Sequence, residues 1–241
     1  MASHSAFLHL PAHRTSRMTA LAAALTALAS TTASVRADGT YQSLPFSQNW
    51  TTATLISAND DWSGVPGIIG FLGQDLTTAT GTDPQTLLGV SSVANDLDVV
   101  ANQTNPNTFA QGGVAEFAIT NPVVALQGSG TADAPYIQLH LNTAGKASIT
   151  ISYNLRDIDG SGDNAVQAVA LQYRIGNTGN FTNVPAGFVA DASSGPSLAT
   201  LVTAVSVTLP VACSNQSNLQ LRIITSNAAG NDEWIGIDDI L

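Results

Sequence analysis

"ASITISYNLRDI", Ala147 to Ile158, alternates apolar and polar residues. Ile149, Ile151, Tyr153 and Leu155 fall on one side, and Thr150, Ser152, Asn154 and Arg156 on the other. A period of two belongs to a β-strand with one face on a core. The same period recurs downstream. It places Val169, Leu171, Tyr173 and Ile175 on one face, then Val205, Val207 and Leu209, then Leu219, Leu221 and Ile223. "GVAEFAITNP" and "APYIQLHLN" read as two further strands. Turn signals separate them, among them Asn121-Pro122, Gly128-Ser129-Gly130, Asp159-Gly160 and Ala229-Gly230-Asn231. Short strands at this spacing, in a chain rich in Thr, Val, Ile and Gly, predict an all-β fold. The expected architecture is an antiparallel β-sandwich of jelly-roll type. The segment from Asp75 to Asn107 is less regular and reads as an elaborated loop with a short helix near Pro84 to Leu88.

The chain opens differently. Arg14 and Arg17 precede the apolar run Met18 to Ser30, and Val35-Arg36-Ala37 supplies small residues around a cleavage point. This order predicts a cleavable signal peptide over residues 1–37, a single β-sandwich module over 38–241, and secretion. No later apolar run is long enough for a membrane helix. Cleavage removes three of seven basic residues and none of the seventeen acids. Four basic residues then stand against seventeen acids, a net charge of −13. Such a surface repels phosphate backbones, so direct nucleic-acid binding by this segment is not expected. Cys213 is the only cysteine, which excludes an intrachain disulfide and reads as a buried small hydrophobe.

Beyond residue 37 the only histidine is His140, which excludes a two- or three-histidine zinc site within the chain. No nucleophile elbow, phosphate loop or dinucleotide fingerprint occurs. No catalytic residue is assigned. A hydrolase using carboxylates alone is not excluded by composition, but no local pattern selects a pair.

The strongest chemical signal follows the opening strand. Asp157, Asp159, Asp163 and Asn164 lie in "RDIDGSGDN", with Gly160 and Gly162 between them. Spaced oxygen donors in a glycine-rich loop suit Ca²⁺, although glycine at the fourth loop position and Ala168 at the twelfth exclude an EF-hand. An acidic surface turn is the alternative. Asp238 and Asp239 are adjacent in a strand and point to opposite faces, so one must be paired or bonded. The candidate structural Ca²⁺ ligands are therefore Asp157, Asp159, Asp163 and Asp238. Trp50, Trp62 and Trp234 read either as a sugar-stacking platform or, more commonly, as plugs of a sandwich core. The closing stretch "EWIGIDDIL", Glu233 to Leu241, reads as a strand ending on apolar residues, and the expectation is that the module continues into a longer polypeptide.

"LRDIDGSGDNAVQAVALQYRIGNTGNFTNVPAGFVADASSGPSLATLVTAVSVTLP", followed by "LQLRIITSNAAGNDEWIGIDDI", is similar to the N-terminal β-sandwich region of large secreted bacterial proteins. Many of these are extracellular nucleases of the endonuclease/exonuclease/phosphatase type, and others are surface proteins with lamin-tail or Ig-like modules. The likeness runs from about Leu44 to the end and is dense from Arg156. "IDDI" also resembles the last strand of MAM-type jelly rolls. The resemblance implies a non-catalytic accessory module ahead of a catalytic domain, with an extracellular nuclease as the foremost partner. None of that nuclease's metal-binding histidines maps onto this chain. The alternative is a free-standing secreted protein that binds a glycan or another surface component, stabilised by calcium.

Overall fold

In the computed structural model, residues 1, 36–52, 55–94 and 96–241 are described. The expected signal peptide lies outside them except at its end. There Arg36–Ala37 (β1) pairs in parallel with Asp61–Trp62 (β3). The remaining strands are Gln42–Ser43 (β2), Ile68–Phe71 (β4), Val100–Gln103 (β5), Gly113–Phe117 (β6), Val123–Gln127 (β7) and Tyr136–Asn142 (β8). They continue with Thr150–Asp157 (β9), Ala170–Ile175 (β10), Thr182–Asn183 (β11), Val202–Thr208 (β12), Leu219–Ile224 (β13) and Ile235–Asp238 (β14).

Two six-stranded sheets result. The first runs β11-β10-β13-β8, with β2 and β4 sharing the far side of β8; the second runs β12-β9-β14-β7-β6-β5. From β8 onward the chain crosses repeatedly between sheets, as a jelly roll does. The sandwich is the expected one, with a difference in detail. The pairings β2–β8 and β5–β6 are parallel, so the sheets are mixed.

The alternation of β9 survives intact. Ile151, Tyr153 and Leu155 are buried, and Thr150 is exposed. They meet Leu139, Leu171, Leu221 and Ile223 of the first sheet in one apolar core. Trp50, Trp62 and Trp234 belong to this core. Their indole N–H groups donate to the carbonyls of Ile237, Asp98 and Phe109. They plug the sandwich and form no exposed platform. Cys213 is buried as expected.

The first sheet departs from the simple pattern. Every residue of β13 is buried, and so is nearly all of β8. Its outer face is covered by the irregular segment between β4 and β5. The expected short helix there is a single 3₁₀ turn, Pro84–Thr86, capped by the Asp83 carboxylate on the Gln85 N–H. Leu87 packs with Tyr136, Ala170 and Ile224 in a second, small core beneath this cover. The segment starts through a tight approach at Gly73 (φ +62°), where a Cβ would sit 1.8 Å from the Ala134 carbonyl oxygen. No helix among the described residues is long and apolar enough to cross a membrane.

Candidate functional site

The outer face of the first sheet carries long planar polar side chains in two rows. Strand register aligns Gln172, Arg222 and Gln138 in one row and Arg174, Gln220 and His140 in the next. All six are buried. A buried polar group is costly unless bonded, and most of these bond to one another or to the covering segment. The Arg222 guanidinium donates to Gln172 Oε1 and to the carbonyls of Leu87 and Gly89. Gln172 Nε2 donates to the Pro84 carbonyl (3.1 Å) and to Asn183 Oδ1 (2.9 Å). Arg174 donates through Nε and Nη2 to Gln220 Oε1 and through Nη1 to the Gly179 carbonyl. Gln220 Nε2 in turn donates to the Tyr41 hydroxyl (3.0 Å).

At the edge of this network a groove of about 370 Å³ opens, a volume ordinary for a small-ligand site. Phe71 and Tyr136 form its floor, with ring centroids 4.9 Å apart in a stacked pair. Val90, Val93 and Leu97 form an aliphatic wall. Gln138, Arg174, Asp96 and Asn177 supply the polar groups. Gln138, Arg174 and Asp96 are held from outside the groove, and Asn177 is an exposed bend residue at its rim. Asp96 accepts the N–H groups of Gly73 (3.2 Å) and Gln74 (3.0 Å), while burial raises its pKa. His140 is held neutral, its pKa lowered to about 4 by burial and by the charge of Arg174. One ring nitrogen therefore accepts from Gln138 Nε2 at 2.8 Å, which leaves Gln138 Oε1 without a partner among the described residues. Arg174 keeps two N–H groups beyond the three already donated. The groove thus offers fixed donors and acceptors over an aromatic floor. A second cleft of about 350 Å³ opens between the sheets, but it is lined chiefly by core side chains such as Leu139, Ile149 and Leu221.

The acidic residues singled out from sequence separate into two places. Asp157 ends β9, and its carboxylate accepts from the Asp159 N–H (3.1 Å), the Ser194 N–H (2.7 Å) and the Ser194 hydroxyl (2.6 Å). Asp159 accepts the Ser161 N–H (2.9 Å), and burial raises its pKa, with Asp163 and Asp157 adding to the effect. Asp163 therefore stands in the same electrostatic neighbourhood. Asp238 is elsewhere. Register places it opposite Asn154, three residues along β9 from Asp157. It accepts from Arg156 Nη1 (2.7 Å), Asn121 Nδ2 (3.1 Å) and the Asp239 N–H (2.8 Å). Of the adjacent aspartates, Asp238, the last residue of β14, is buried, and Asp239, just past the strand, is exposed. Because the Arg156 guanidinium is still partly solvated, Asp238→Asn is expected to cost only about 1–3 kcal/mol in urea unfolding. Asp60 joins neither group. It stands beside Asp98 and accepts the Val99 N–H.

No protein-family model matches the chain, and no similar protein is found among curated sequences. Several solved structures give partial matches. One is a carbohydrate-binding module specific for non-crystalline cellulose: TM-score 0.38, 13% identity, covering 58% of this chain and 97% of that one. Another is the K2 cleaved adhesin domain of Lys-gingipain: TM-score 0.33, 18% identity, covering 57% and 75%. A mannan-recognising carbohydrate-binding module gives TM-score 0.29 and 11% identity over 53% and 77%. With every TM-score below 0.5, these likenesses carry no conclusion about this chain's family, ligand or residue roles.

Sequence reasoning missed the groove. Its signal was present: the second faces of "YIQLHLN", "ALQYRI" and "LQLRII" carry Gln, His and Arg along their middles, where β9 carries Thr, Ser and Asn before Arg156 near its end. Long planar donors on three strands point to a covered polar layer, whereas short hydroxyls suit a solvated face.

Proposed function

We propose that this chain is a secreted, non-catalytic module that binds a neutral glycan in the groove over Phe71 and Tyr136. The observation that carries the reading is the groove's composition: an aromatic and aliphatic surface bordered by Arg174, Gln138, Asp96 and Asn177. A sugar ring has the matching character, with C–H faces that pack on aromatic rings and hydroxyls that need donors and acceptors set at its rim. The side chains are pre-positioned by the buried rows behind them, which lowers the ordering cost of binding. The net charge of −13 for residues 38–241 disfavours anionic polymers and leaves neutral polysaccharides as the compatible class. Secretion rests on the pattern of residues 1–37, and glycans are the abundant ligands outside the cell. A neighbouring catalytic domain, a nuclease foremost, remains what the sequence resemblance implies, and no residue of the groove adds to it.

A glycan array containing neutral and acidic glycans, read with and without Ca²⁺, gives the first test, followed by calorimetry on the best neutral hit. Phe71→Leu keeps the bulk but loses the ring face. It should weaken binding by up to about tenfold, since a contact on an aromatic face is worth about 0.5–1.5 kcal/mol. Asn177→Ala should weaken it severalfold with an unchanged melting temperature. An array without neutral hits, or an affinity indifferent to both substitutions, overturns the reading.

A further inference from the structure

Glu233 is 1% exposed, and neither carboxyl oxygen has a hydrogen-bond partner. That is an unstable position for a carboxylate in a protein interior. Its surroundings make it worse. Asp157, Asp159, Asp163 and Asp191 all act on it to disfavour its charge, and no basic side chain opposes them. Burial is the largest cause, and together they push its pKa up to about 8. Arg156, the residue before Asp157, is engaged with Asp238.

The backbone builds this gathering. Ile235 pairs with Asp157, so Glu233 lies just beyond the end of β9, against the loop carrying Asp159 and Asp163. The Ile158 N–H donates to the Trp234 carbonyl (3.2 Å) and fixes that approach. Asp191 arrives from another loop, tied by Asp191 Oδ1 to the N–H groups of Gln167 (3.2 Å) and Ser193 (3.0 Å). Gln167, which donates its N–H to Asp191, carries a second unsatisfied oxygen. Gln167 is fully buried, its Nε2 donates to Thr225 Oγ1 and the Ser226 carbonyl, and its Oε1 has no partner.

We propose that Glu233, with Asp157, Asp159, Asp163 and Asp191, forms a structural calcium site joining three loops at one end of the sandwich. A divalent cation supplies the positive charge that the buried Glu233 carboxylate lacks. The donors are all oxygens, borne on loops with Gly160 and Gly162 between them. This suits the six to eight flexible oxygen ligands of Ca²⁺, whereas zinc selects imidazole and thiolate. Among the described residues no group of three or more His, Cys, Asp or Glu side chains is placed to hold a metal ion as it stands, so binding requires the loop carboxyls to close on Glu233. The assignment differs from the sequence expectation in one member: Glu233 takes the place given to Asp238. It lies apart from the glycan groove and does not rest on that reading.

The test uses the purified protein after chelation. Ca²⁺ at about a hundred times its Kd should raise the melting temperature by roughly 5–10 °C. Terbium should bind at the same place and luminesce on excitation of Trp234, the neighbour of Glu233, and Ca²⁺ should quench the signal by competition. Glu233→Gln replaces the carboxyl by a neutral amide of the same shape. It should melt close to the wild type in chelator and lose the calcium shift. Asp159→Asn should weaken calcium at least tenfold, whereas Asp238→Asn should keep wild-type affinity. Identical melting curves in chelator and Ca²⁺ overturn the proposal. So does a calcium shift retained in Glu233→Gln, or a response to Mg²⁺ equal to that to Ca²⁺.

Discussion

Arg222→Ala is expected to destabilise the protein by about 3–5 kcal/mol, the range for removing one member of a buried, bonded charged group. The guanidinium is fully buried, and burial lowers its pKa to about 10, so it remains charged at neutral pH. No carboxylate among the described residues pairs with it. Gln172 Oε1 and the carbonyls of Leu87 and Gly89 take its protons. Phe181 lies under it, 4.0 Å from guanidinium carbon to ring centroid, and Tyr136 at 5.0 Å. Alanine leaves Gln172 Oε1 and the Gly89 carbonyl without donors, the Leu87 carbonyl with only Gln172 Nε2 at 3.3 Å, and a void between two rings. It also frees the 3₁₀ turn from the sheet, and with it the segment that continues into the groove wall at Val90 and Val93. Two measurements check this: urea unfolding for the stability, and amide exchange for faster opening at residues 84–89. Arg222→Lys should recover little, because one ammonium cannot reach Gln172 and two carbonyls together. Unfolding curves that coincide for wild type and Arg222→Ala would show that the cover is held by Leu87 and its small core alone.

The second large effect is on the pH dependence of stability, through Asp98. Its side chain is buried, and Oδ2 accepts the Val114 N–H at 2.6 Å. Burial raises its pKa to about 7, with Asp60 and Asp96 adding to the rise and the Val114 bond opposing it. An unfolded chain releases this proton near 3.8. Between those values the folded state holds a proton that the unfolded state has lost. The contribution is therefore full below about pH 4 and is lost as pH rises through 7. At about 1.4 kcal/mol per pH unit, its ceiling is about 4 kcal/mol. Asp98→Asn can still accept from Val114 and carries no charge. The difference in unfolding free energy between wild type and variant should shift by about 2–4 kcal/mol from pH 4.5 to pH 8, in favour of the variant at high pH. Taking that difference cancels His140, which runs the other way because its folded pKa is lowered to about 4. A difference independent of pH would show that Asp98 is ionised throughout.

The strands were legible because one face met a dry core and the other met water. β9 and β12 obey that rule, and their alternation reads off directly. β8, β10 and β13 obey it on one face only. The cover over their second face comes from residues 72–97, distant in sequence and without a period of their own, so no local window announces it. The acidic loop was legible as spaced aspartates. Glu233 was not, because its burial depends on the register between β14 and β9, separated by almost eighty residues. Asp238 was chosen for its position beside Asp239, and what ties it down is Arg156 on the neighbouring strand. The tryptophans were ambiguous because the same amphipathic ring serves a platform or a plug, and only the carbonyl that takes each indole N–H decides.

β14 has a consequence for how the molecule is made. It lies between β7 and β9, which share no direct pairing. Its partners on β7 precede it by more than one hundred residues. Until residues 235–238 arrive, the second sheet is two separate ribbons, β5-β6-β7 and β9-β12, each with a bare hydrogen-bonding edge and an unshielded apolar face. Joining them closes a long loop, which makes folding slow, and it happens last during vectorial synthesis. Any chain stopped short of β14 presents two adhesive edges of opposite pedigree, and two such chains can complete each other's sheet. The hazard of this fold is thus dimerisation and aggregation of its unfinished form.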